Sequence, residues 1–499
     1  MMSPTKEWLS DLADKLSGQS KATEERKQNV YTRYETYNQQ HVFDHWNDLT
    51  SEQKLSLLDQ LENIKVEELK DYLKDAQDDN LGVKAKADIK PFTGKVSSSK
   101  KDSKYLKNTC YNLGLESIKK NEVATILLAG GQGTRLGFDG PKGMFDIGMP
   151  SKRSLFCMIA ERIVRLSQIA AKENDEKTVH IPIYIMTSPM NHETTKNYFI
   201  SHNFFGLPAD DVKFFAQGTL PCLSPEGLII MESKYQCAMA PDGNGGIYPA
   251  MDRCGVLEDM KRRGIKHIHA FAIDNALVKP ADPIFIGYCI DEKADCGNKV
   301  LWKQDAHEKV GVIAERGQKP CVIEYSELSQ NMAEQTKGFM GRKKLVYGAA
   351  NICNHYYSTS FLEDKVWPNQ GKYYHIAKKK IPYWDDDKNE TVTPAENNGI
   401  KLESFIFDVF PLSSSMAILE VEREEEFAPV KNAPGSSTDS PETAREKLSN
   451  LAVKWLRDAG AVLVVTEEGK PCEIGPLTSY SGEGLDEYKD RTVECPFSI

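Results

Sequence analysis

The chain has 499 residues, 40% of them hydrophobic, so it can bury a sizeable core in more than one domain. Its 63 basic and 73 acidic residues give a formal net charge of -10, which argues against partners such as nucleic acid or a membrane surface. No apolar run approaches the roughly 18 residues that span a bilayer. The 11 cysteines include no C-x-x-C pair, which argues against a zinc site or a disulfide framework and favours a reducing, cytoplasmic location.

Residues 1–105 are predicted to form a helical N-terminal domain. Residues 1–16 have the apolar spacing of an amphipathic helix and lack the pattern of a signal peptide. Thr50 and Gln53 have the spacing of a capping box, which predicts the start of a further helix. The core-facing stripe of that helix comprises Leu55, Leu58, Leu61 and Ile64. The polar run at 97–103 predicts a linker.

Residues 106–403 alternate short apolar runs with helical patterns. This alternation predicts an α/β domain with a Rossmann-like, mainly parallel sheet covered on both faces. The predicted buried strands are 123–129, 181–186, 212–216 and 267–273. The predicted helices are 154–171, 193–202 and 257–263. Ligands of such sheets bind beyond the carboxyl ends of the strands, so we expect the site in the loops that follow them.

Residues 404–499 are predicted to form a smaller mixed α/β C-terminal domain. Its apolar patterns indicate extended runs at 404–410, 416–421 and 461–466. A helix is predicted at 441–459, after a surface loop. The predicted organisation is therefore an α/β core between a helical region and a mixed region.

A glycine-rich segment, Leu128-Ala-Gly-Gly-Gln-Gly-Thr-Arg-Leu-Gly137, directly follows the first predicted strand. Its glycines allow the backbone to approach a phosphate chain and to turn N–H groups toward it. A dinucleotide fingerprint needs a small residue where Leu136 stands, and a P-loop needs a Gly-Lys-Ser/Thr tripeptide that the chain lacks. Arg135 and Lys142 add two cations, which suit a triphosphate.

Asp274 closes the apolar run at 267–273, so it is predicted to project from the carboxyl end of a strand. A single carboxylate can hold Mg²⁺ when phosphate oxygens and water complete the coordination. The alternative is that Asp274 and Asn275 merely form a turn. Gln217 also follows a predicted strand.

The glycine-rich segment and Pro141-Lys-Gly143 together resemble the signature of sugar-1-phosphate nucleotidyltransferases. A longer set of motifs resembles the eukaryotic UDP-N-acetylglucosamine pyrophosphorylases: Pro241-Asp-Gly-Asn-Gly-Gly246, Glu324-Tyr-Ser326, Lys380-Ile-Pro-Tyr383, Arg423-Glu-Glu-Glu-Phe427 and Lys431-Asn432. The resemblance implies a Mg²⁺-dependent uridylyltransferase. Such an enzyme makes UDP-N-acetylglucosamine and pyrophosphate from UTP and N-acetylglucosamine 1-phosphate, by in-line attack at the α phosphorus.

The resemblance also implies roles for individual residues. The implied catalytic residues are Arg135, Lys142 and Lys380. The implied nucleotide-binding residues are Leu128, Ala129, Gly130, Gly131, Gly133, Thr134, Lys142, Gln217, Gly243 and Asp274. The implied sugar-binding residues are Asn244, Glu324, Tyr325 and Asn351, and Asp274 is the implied metal ligand. Spacing alone does not distinguish which of Lys378, Lys379 and Lys380 faces the site.

Two alternatives stay open at the level of sequence. One is a UDP-sugar pyrophosphorylase that acts on glucose or N-acetylgalactosamine 1-phosphate. The other is a catalytically inactive nucleotide-sugar sensor on the same fold, although a sensor has no need of the cations used in a transition state. The chain also departs from some members of the family, because Ser413-Ser-Ser415 stands where they carry a Lys-Lys pair. The oligomeric state is not predicted.

Overall fold

The computed structural model describes residues 6–80, 88–175, 177–338, 343–369 and 373–499. Its chain falls into two compact units, each discontinuous in sequence. The helical-ribbon unit comprises residues 1–86, 218–246 and 371–405, and the sheet unit comprises 87–217, 247–370 and 406–499. The predicted domains were continuous stretches, and their boundaries after residues 105 and 403 stay a prediction.

The sheet unit is built on a central sheet, which has eleven strands among the described residues. In chain order they are β1 (Ile89–Pro91), β2 (Val96–Ser98), β3 (Val123–Leu128), β4 (Ile183–Thr187), β5 (Val212–Ala216), β6 (His267–Ala272), β7 (Cys296–Trp302), β8 (Val312–Arg316), β9 (Lys319–Ile323), β10 (Ala349–Ser358) and β11 (Met416–Glu420). Their spatial order is β2-β11-β7-β10-β6-β3-β4-β5, and β8 pairs with β1, β9 and β10.

The predicted parallel core of this sheet is confirmed. Strands β6, β3, β4 and β5 are neighbours and run parallel to one another. Every residue of β3 and β4 is buried, as expected for strands covered on both faces. Strand β10, which was not predicted, runs antiparallel to both β6 and β7, so the whole sheet is mixed.

Helices cover both faces of the sheet. One face packs against Leu155–Lys172 and Pro283–Asp291, and the other packs against Ile247–Arg253 and Val256–Arg262. Ser154 caps the first of these helices by accepting a hydrogen bond from the Cys157 N–H. The remaining α-helices of the unit are Ser103–Tyr105, Tyr111–Lys119, His192–Ser201, Gln330–Ala333, Thr359–Phe361, Arg423–Glu426 and Pro441–Asp458.

The helical-ribbon unit contains the α-helices Lys6–Thr36, Ser51–Asn63 and Val66–Asn80. The capping box of Thr50 and Gln53 is confirmed. Leu58, Leu61 and Ile64 are buried as predicted, whereas Leu55 is 40% exposed. The apolar face predicted within residues 1–16 lies outside the described side chains. The antiparallel ribbons of the unit are Thr219–Pro221 with Met239–Pro241, Met231–Ser233 with Gln236–Cys237, His375–Lys379 with Gly399–Glu403, and Tyr383–Asp385 with Glu390–Val392.

Two predictions about local structure are wrong. Ser97 and Ser98, placed in a linker, are buried in the edge strand β2. Residues 404–410 were expected to be extended, but residues 406–409 form turns and residue 410 begins a 3₁₀ helix. The buried residues there, Ile406, Val409 and Phe410, are three and one positions apart, which suits a turn better than a strand.

The C-terminal elements are mostly where the sequence predicted them. Strand β11 joins the central sheet, parallel to β7. The helix Pro441–Asp458 begins at a capping box of Ser440 and Thr443. Val462–Val465 pairs with Thr492–Cys495. Within the described part of the chain, no helix is long and apolar enough to cross a membrane.

Candidate active site

Four loops meet at the carboxyl edge of the parallel strands in the sheet unit. The glycine-rich loop follows β3, residues 188–191 follow β4, Gln217 follows β5, and Asp274 stands two residues beyond β6. Because adjacent parallel strands end at the same edge of a sheet, these loops are neighbours. The structure therefore brings together the predicted nucleotide-binding residues of this unit.

The glycine-rich loop folds back on itself as a compact hairpin. The Gly133 N–H donates to the Gly140 carbonyl at 2.8 Å, and the Lys142 N–H donates to the Gly131 carbonyl at 3.1 Å. A Cβ on Gly143 would lie 2.2 Å from the Phe156 ring, so only glycine allows this segment to reach the helix beneath it. The hairpin thus fixes the backbone position of Lys142.

The residues of this loop differ in exposure. Leu128 and Ala129 are buried and form its base, whereas Gly131, Thr134 and Arg135 are exposed. The exposed backbone and the arginine are therefore free to meet a ligand. Leu128 and Ala129 can contribute only through the position they give to the backbone.

Two amide side chains lie at the base of the loop. Gln217 is buried, and its Oε1 lies 3.4 Å from the place that a Cβ on Gly130 would take. The Asn191 side chain donates to the Ala129 carbonyl at 3.1 Å and accepts from the Ser188 N–H at 2.8 Å. Asn191 was missed by the sequence analysis, because no local motif marks an asparagine that bonds across 62 residues.

Asp274 lies in a cluster of cations. Its Oδ2 is 3.6 Å from the Lys431 Nζ, and its carboxylate side chain is 17% exposed. Burial lowers the pKa of Lys142. The negative charge of Asp274 raises this pKa, whereas the positive charges of Lys431 and Arg135 lower it further. Lys431 belongs to one of the sequence motifs, but the sequence indicated no role for it. The structure adds Lys431 to the residues around Asp274. Three cations and one carboxylate suit a polyanion better than a neutral ligand.

Glu324, Tyr325 and Asn351 belong to the sheet unit as well. The Glu324 carboxylate lies over Gly311, where an added Cβ would be 3.0 Å from its Oε1. The Asn351 N–H donates to the Gly311 carbonyl at 2.8 Å. Glu324 and Asn351 are therefore neighbours, whereas Tyr325 is 47% exposed. The Asn351 Oδ1 accepts from the Cys353 N–H at 3.0 Å, which fixes its side chain.

Gly243 and Asn244 belong to the helical-ribbon unit. Gly243 has φ of +87°, and a Cβ there would lie 2.3 Å from the Ser404 carbonyl oxygen, so the position requires glycine. That carbonyl accepts from the Gly245 N–H at 2.9 Å, and the Ser404 N–H donates to the Asp242 carbonyl at 2.8 Å. Ser404 thereby clamps the loop that presents Asn244.

Lys380 follows the strand His375–Lys379 in the same unit. That strand is antiparallel to Gly399–Glu403, with Lys379 opposite Gly399 and His375 opposite Glu403. Lys380 and Ser404 therefore lie just beyond opposite ends of this ribbon, six residue steps or roughly 20 Å apart at about 3.3 Å per residue. Lys378, Lys379 and Lys380 are all exposed, so burial does not single out one of them.

The serine turn at 413–415 lies away from the carboxyl edge. It precedes β11, and the first residue of β11, Met416, pairs with the first residue of β7, Cys296. The Ser414 N–H donates to the Asp295 carboxylate at 2.6 Å. This turn is therefore at the amino edge of the sheet, opposite to Asp274.

The residues at Asp274 fit a magnesium ion that is shared with a ligand. Among the described residues, no group of three or more His, Cys, Asp and Glu side chains could hold a metal by itself. Mg²⁺ commonly keeps several waters and binds through one or two carboxylates and substrate phosphates. A single partly exposed carboxylate beside cations that could hold substrate phosphates fits that donor set.

Comparisons with known proteins agree on one family. Residues 71–438 match the family model described as UTP--glucose-1-phosphate uridylyltransferase. The chain is 42% identical to the UDP-N-acetylglucosamine pyrophosphorylase of Saccharomyces cerevisiae, over 91% of this chain and 96% of that protein. It is 41% identical to UDP-N-acetylglucosamine diphosphorylase 2 of Arabidopsis thaliana, over 95% and 94%. A crystal structure of the Trypanosoma brucei UDP-N-acetylglucosamine pyrophosphorylase in complex with inhibitor superimposes with a TM-score of 0.80 at 29% identity, covering 93% of this chain and 94% of that one.

Proposed function

The chain belongs to the UTP--glucose-1-phosphate uridylyltransferase family, and we propose that it forms UDP-N-acetylglucosamine and pyrophosphate from UTP and N-acetylglucosamine 1-phosphate. The observation that carries the reaction type is the cluster of Arg135, Lys142, Lys431 and Asp274 at the carboxyl edge of the sheet. The choice of sugar rests on relatives that are named for N-acetylglucosamine and that align with this chain over almost their whole length.

The reaction needs no enzyme nucleophile. An oxygen of the sugar phosphate attacks the α phosphorus of UTP and forms the new P–O bond. The bond from the α phosphorus to the bridging oxygen breaks, and pyrophosphate leaves with that electron pair. Two multiply charged anions must be held together in line, so positioning and charge neutralisation dominate the catalysis.

The sheet unit supplies residues for the nucleotide. Backbone N–H groups of the exposed part of the glycine-rich loop bind phosphate oxygens, and Gln217 supports the loop from behind Gly130. Arg135 forks across neighbouring oxygens, and Lys142 supplies a compact charge from a fixed backbone position. Asp274 would hold a Mg²⁺ ion, which supplies charge neutralisation for the phosphates when bound.

The remaining roles are those that the family motifs imply. Asn244 binds the sugar and Gly243 the nucleotide, and Lys380 binds phosphate. The motifs imply sugar binding for Glu324, Tyr325 and Asn351 as well. Asparagine and glutamate oxygens suit sugar hydroxyl and acetamido groups because they accept hydrogen bonds that such groups donate.

We further propose that the enzyme works in the cytoplasm. All eleven cysteines are free thiols, which suits a reducing compartment.

The proposed reaction is tested by incubating the protein with UTP, Mg²⁺ and N-acetylglucosamine 1-phosphate and identifying the products by phosphorus NMR. We expect UDP-N-acetylglucosamine and pyrophosphate in equal amounts. Binding of UDP-N-acetylglucosamine without any turnover would instead support the inactive sensor. The Lys142→Met variant is the control, because methionine has a similar shape and removes one central cation.

A further inference from the structure

The segment that carries Lys431 is fastened to the end of β6 by a short ladder. The Ala276 N–H donates to the Ala428 carbonyl at 3.0 Å, and the Val430 N–H donates to the Asp274 carbonyl at 2.9 Å. Asn275 and Pro429 form a β-bridge between these two contacts. The ladder runs directly alongside Asp274, so any slip of the segment moves Lys431 relative to the carboxylate.

Asn275 reinforces this ladder with its side chain. Its Nδ2 donates to the Glu426 carbonyl at 2.7 Å, and its Oδ1 accepts from the Ala428 N–H at 2.9 Å. The same Oδ1 accepts from the Leu277 N–H at 3.2 Å. Asn275 is 4% exposed, so water cannot replace these bonds without opening the structure.

Glu426 is held at its other end by a buried ion cluster. Its Oε2 is 2.5 Å from the Lys299 Nζ, and its Oε1 is 3.3 Å from the Lys279 Nζ. Lys299 is fully buried in β7 and also bonds the Asp282 carboxylate at 2.5 Å. Two lysines and two carboxylates balance in charge. Glu426 thus ties the segment to the centre of the sheet through its carboxylate and to Asn275 through its carbonyl.

We propose that Asn275 and Glu426 are positioning residues, which hold residues 426–431 against the end of β6 and so place the Lys431 ammonium beside Asp274. The proposal rests on the proposed function. A buried ion cluster can instead serve stability alone. The two roles differ in one measurable respect: a positioning residue acts through Lys431, so its loss has little further effect once Lys431 is gone.

The test is a double-mutant cycle of Asn275→Ala and Lys431→Met, measured as kcat/KM for UTP and as UTP affinity by calorimetry in the presence of Mg²⁺. We expect Asn275→Ala to lower kcat/KM by about tenfold or more, the scale of a misplaced catalytic group. In the Lys431→Met background, Asn275→Ala should lower kcat/KM by less than about twofold, because the effects of mutations in one network are not additive. Equal factors in both backgrounds would overturn the proposal.

Lys447→Met provides a second, milder variant. The Lys447 Nζ donates to the Phe427 carbonyl at 3.0 Å, so it anchors the same segment from the helix Pro441–Asp458. We expect a smaller loss that is likewise absent in the Lys431→Met background. This variant keeps the proposal testable if Asn275→Ala does not fold.

Glu426→Gln is compared with Asp211→Asn as a matched control. Asp211 is buried and bonds Arg263 at 2.8 Å and His180 at 2.7 Å, but it precedes β5 at the amino edge of the sheet. Both variants should lower Tm, whereas only Glu426→Gln should weaken UTP affinity. Unchanged UTP affinity in Glu426→Gln, with an active wild type, would refute the inference alone. An inactive wild type would refute the proposed function instead.

Discussion

Replacement of Lys142 by methionine should lower activity and leave the stability of the fold unchanged or raised. Burial and the charges of Lys431 and Arg135 lower the pKa of Lys142, so the folded state disfavours its protonated form. A lowered lysine pKa means that protonation costs stability at neutral pH, and that this cost disappears as pH rises through the folded and then the unfolded pKa. Methionine has a similar shape and no charge, so it removes the cost.

The expected loss of activity is large. At an effective dielectric constant of about 20, two unit charges 4 Å apart interact by about 4 kcal/mol. Removal of one preorganised donor from an active site typically costs about 2.7 to 4 kcal/mol, a factor of roughly a hundred to a thousand in turnover. We therefore expect Lys142→Met to lower kcat by about a hundredfold or more, with Tm unchanged or raised.

The assay pairs pyrophosphate release with differential scanning calorimetry. Lys196→Met is the matched control, because Lys196 is exposed on the helix His192–Ser201, and it should change neither quantity. A fall in Tm of about 4 °C or more, equivalent to about 3 kcal/mol or more for a unit of roughly 350 residues at about 2.1 cal/mol/K per residue, would show that Lys142 stabilises the fold. Near-normal turnover in Lys142→Met would remove it from the mechanism.

Three further predictions concern the other candidate residues. Arg135→Ala should lower turnover by at least about a hundredfold with the fold intact, and near-normal turnover with an unchanged circular dichroism spectrum would contradict it. Asn244→Ala should weaken N-acetylglucosamine 1-phosphate by about 1 to 3 kcal/mol and UTP much less, which separate binding titrations measure; equal weakening would make its loop a scaffold. Lys380→Met should severely lower kcat/KM for the sugar phosphate, whereas Ser414→Ala should be mild because that residue lies at the amino edge of the sheet. Equal losses of kcat/KM in Lys380→Met and Ser414→Ala would show that Lys380 is not the residue that carries the positive charge for the sugar phosphate.

Elements with a continuous apolar pattern could be predicted from the sequence. Strands β3 and β6 end within one residue of the predicted positions, because a strand that is buried on both faces of the sheet appears in the sequence as a short apolar run with clear ends. The placement of Asp274 and Gln217 at the carboxyl edge follows from that regularity.

Long-range contacts could not be predicted. Lys431 reaches Asp274 only because the segment 426–431 pairs with residues 274–276, and no spacing along the chain encodes that register. Strand β10 was not predicted, because polar residues such as Asn354 and His355 interrupt its apolar pattern. These side chains form hydrogen bonds within the core. At 404–410 the apolar pattern suggested an extended run, yet the Ile406 carbonyl accepts from the hydroxyls of Tyr248 and Tyr357 rather than from a neighbouring strand.

The choice of sugar is the central claim, and competition between substrates tests it most directly. Pyrophosphate release from UTP and Mg²⁺ is measured with N-acetylglucosamine, N-acetylgalactosamine and glucose 1-phosphates at equal concentration. We predict the highest kcat/KM for N-acetylglucosamine 1-phosphate, and a loss of that preference in Asn244→Ala. A higher kcat/KM for glucose 1-phosphate, or no pyrophosphate from any of the three by a folded protein, would contradict the account.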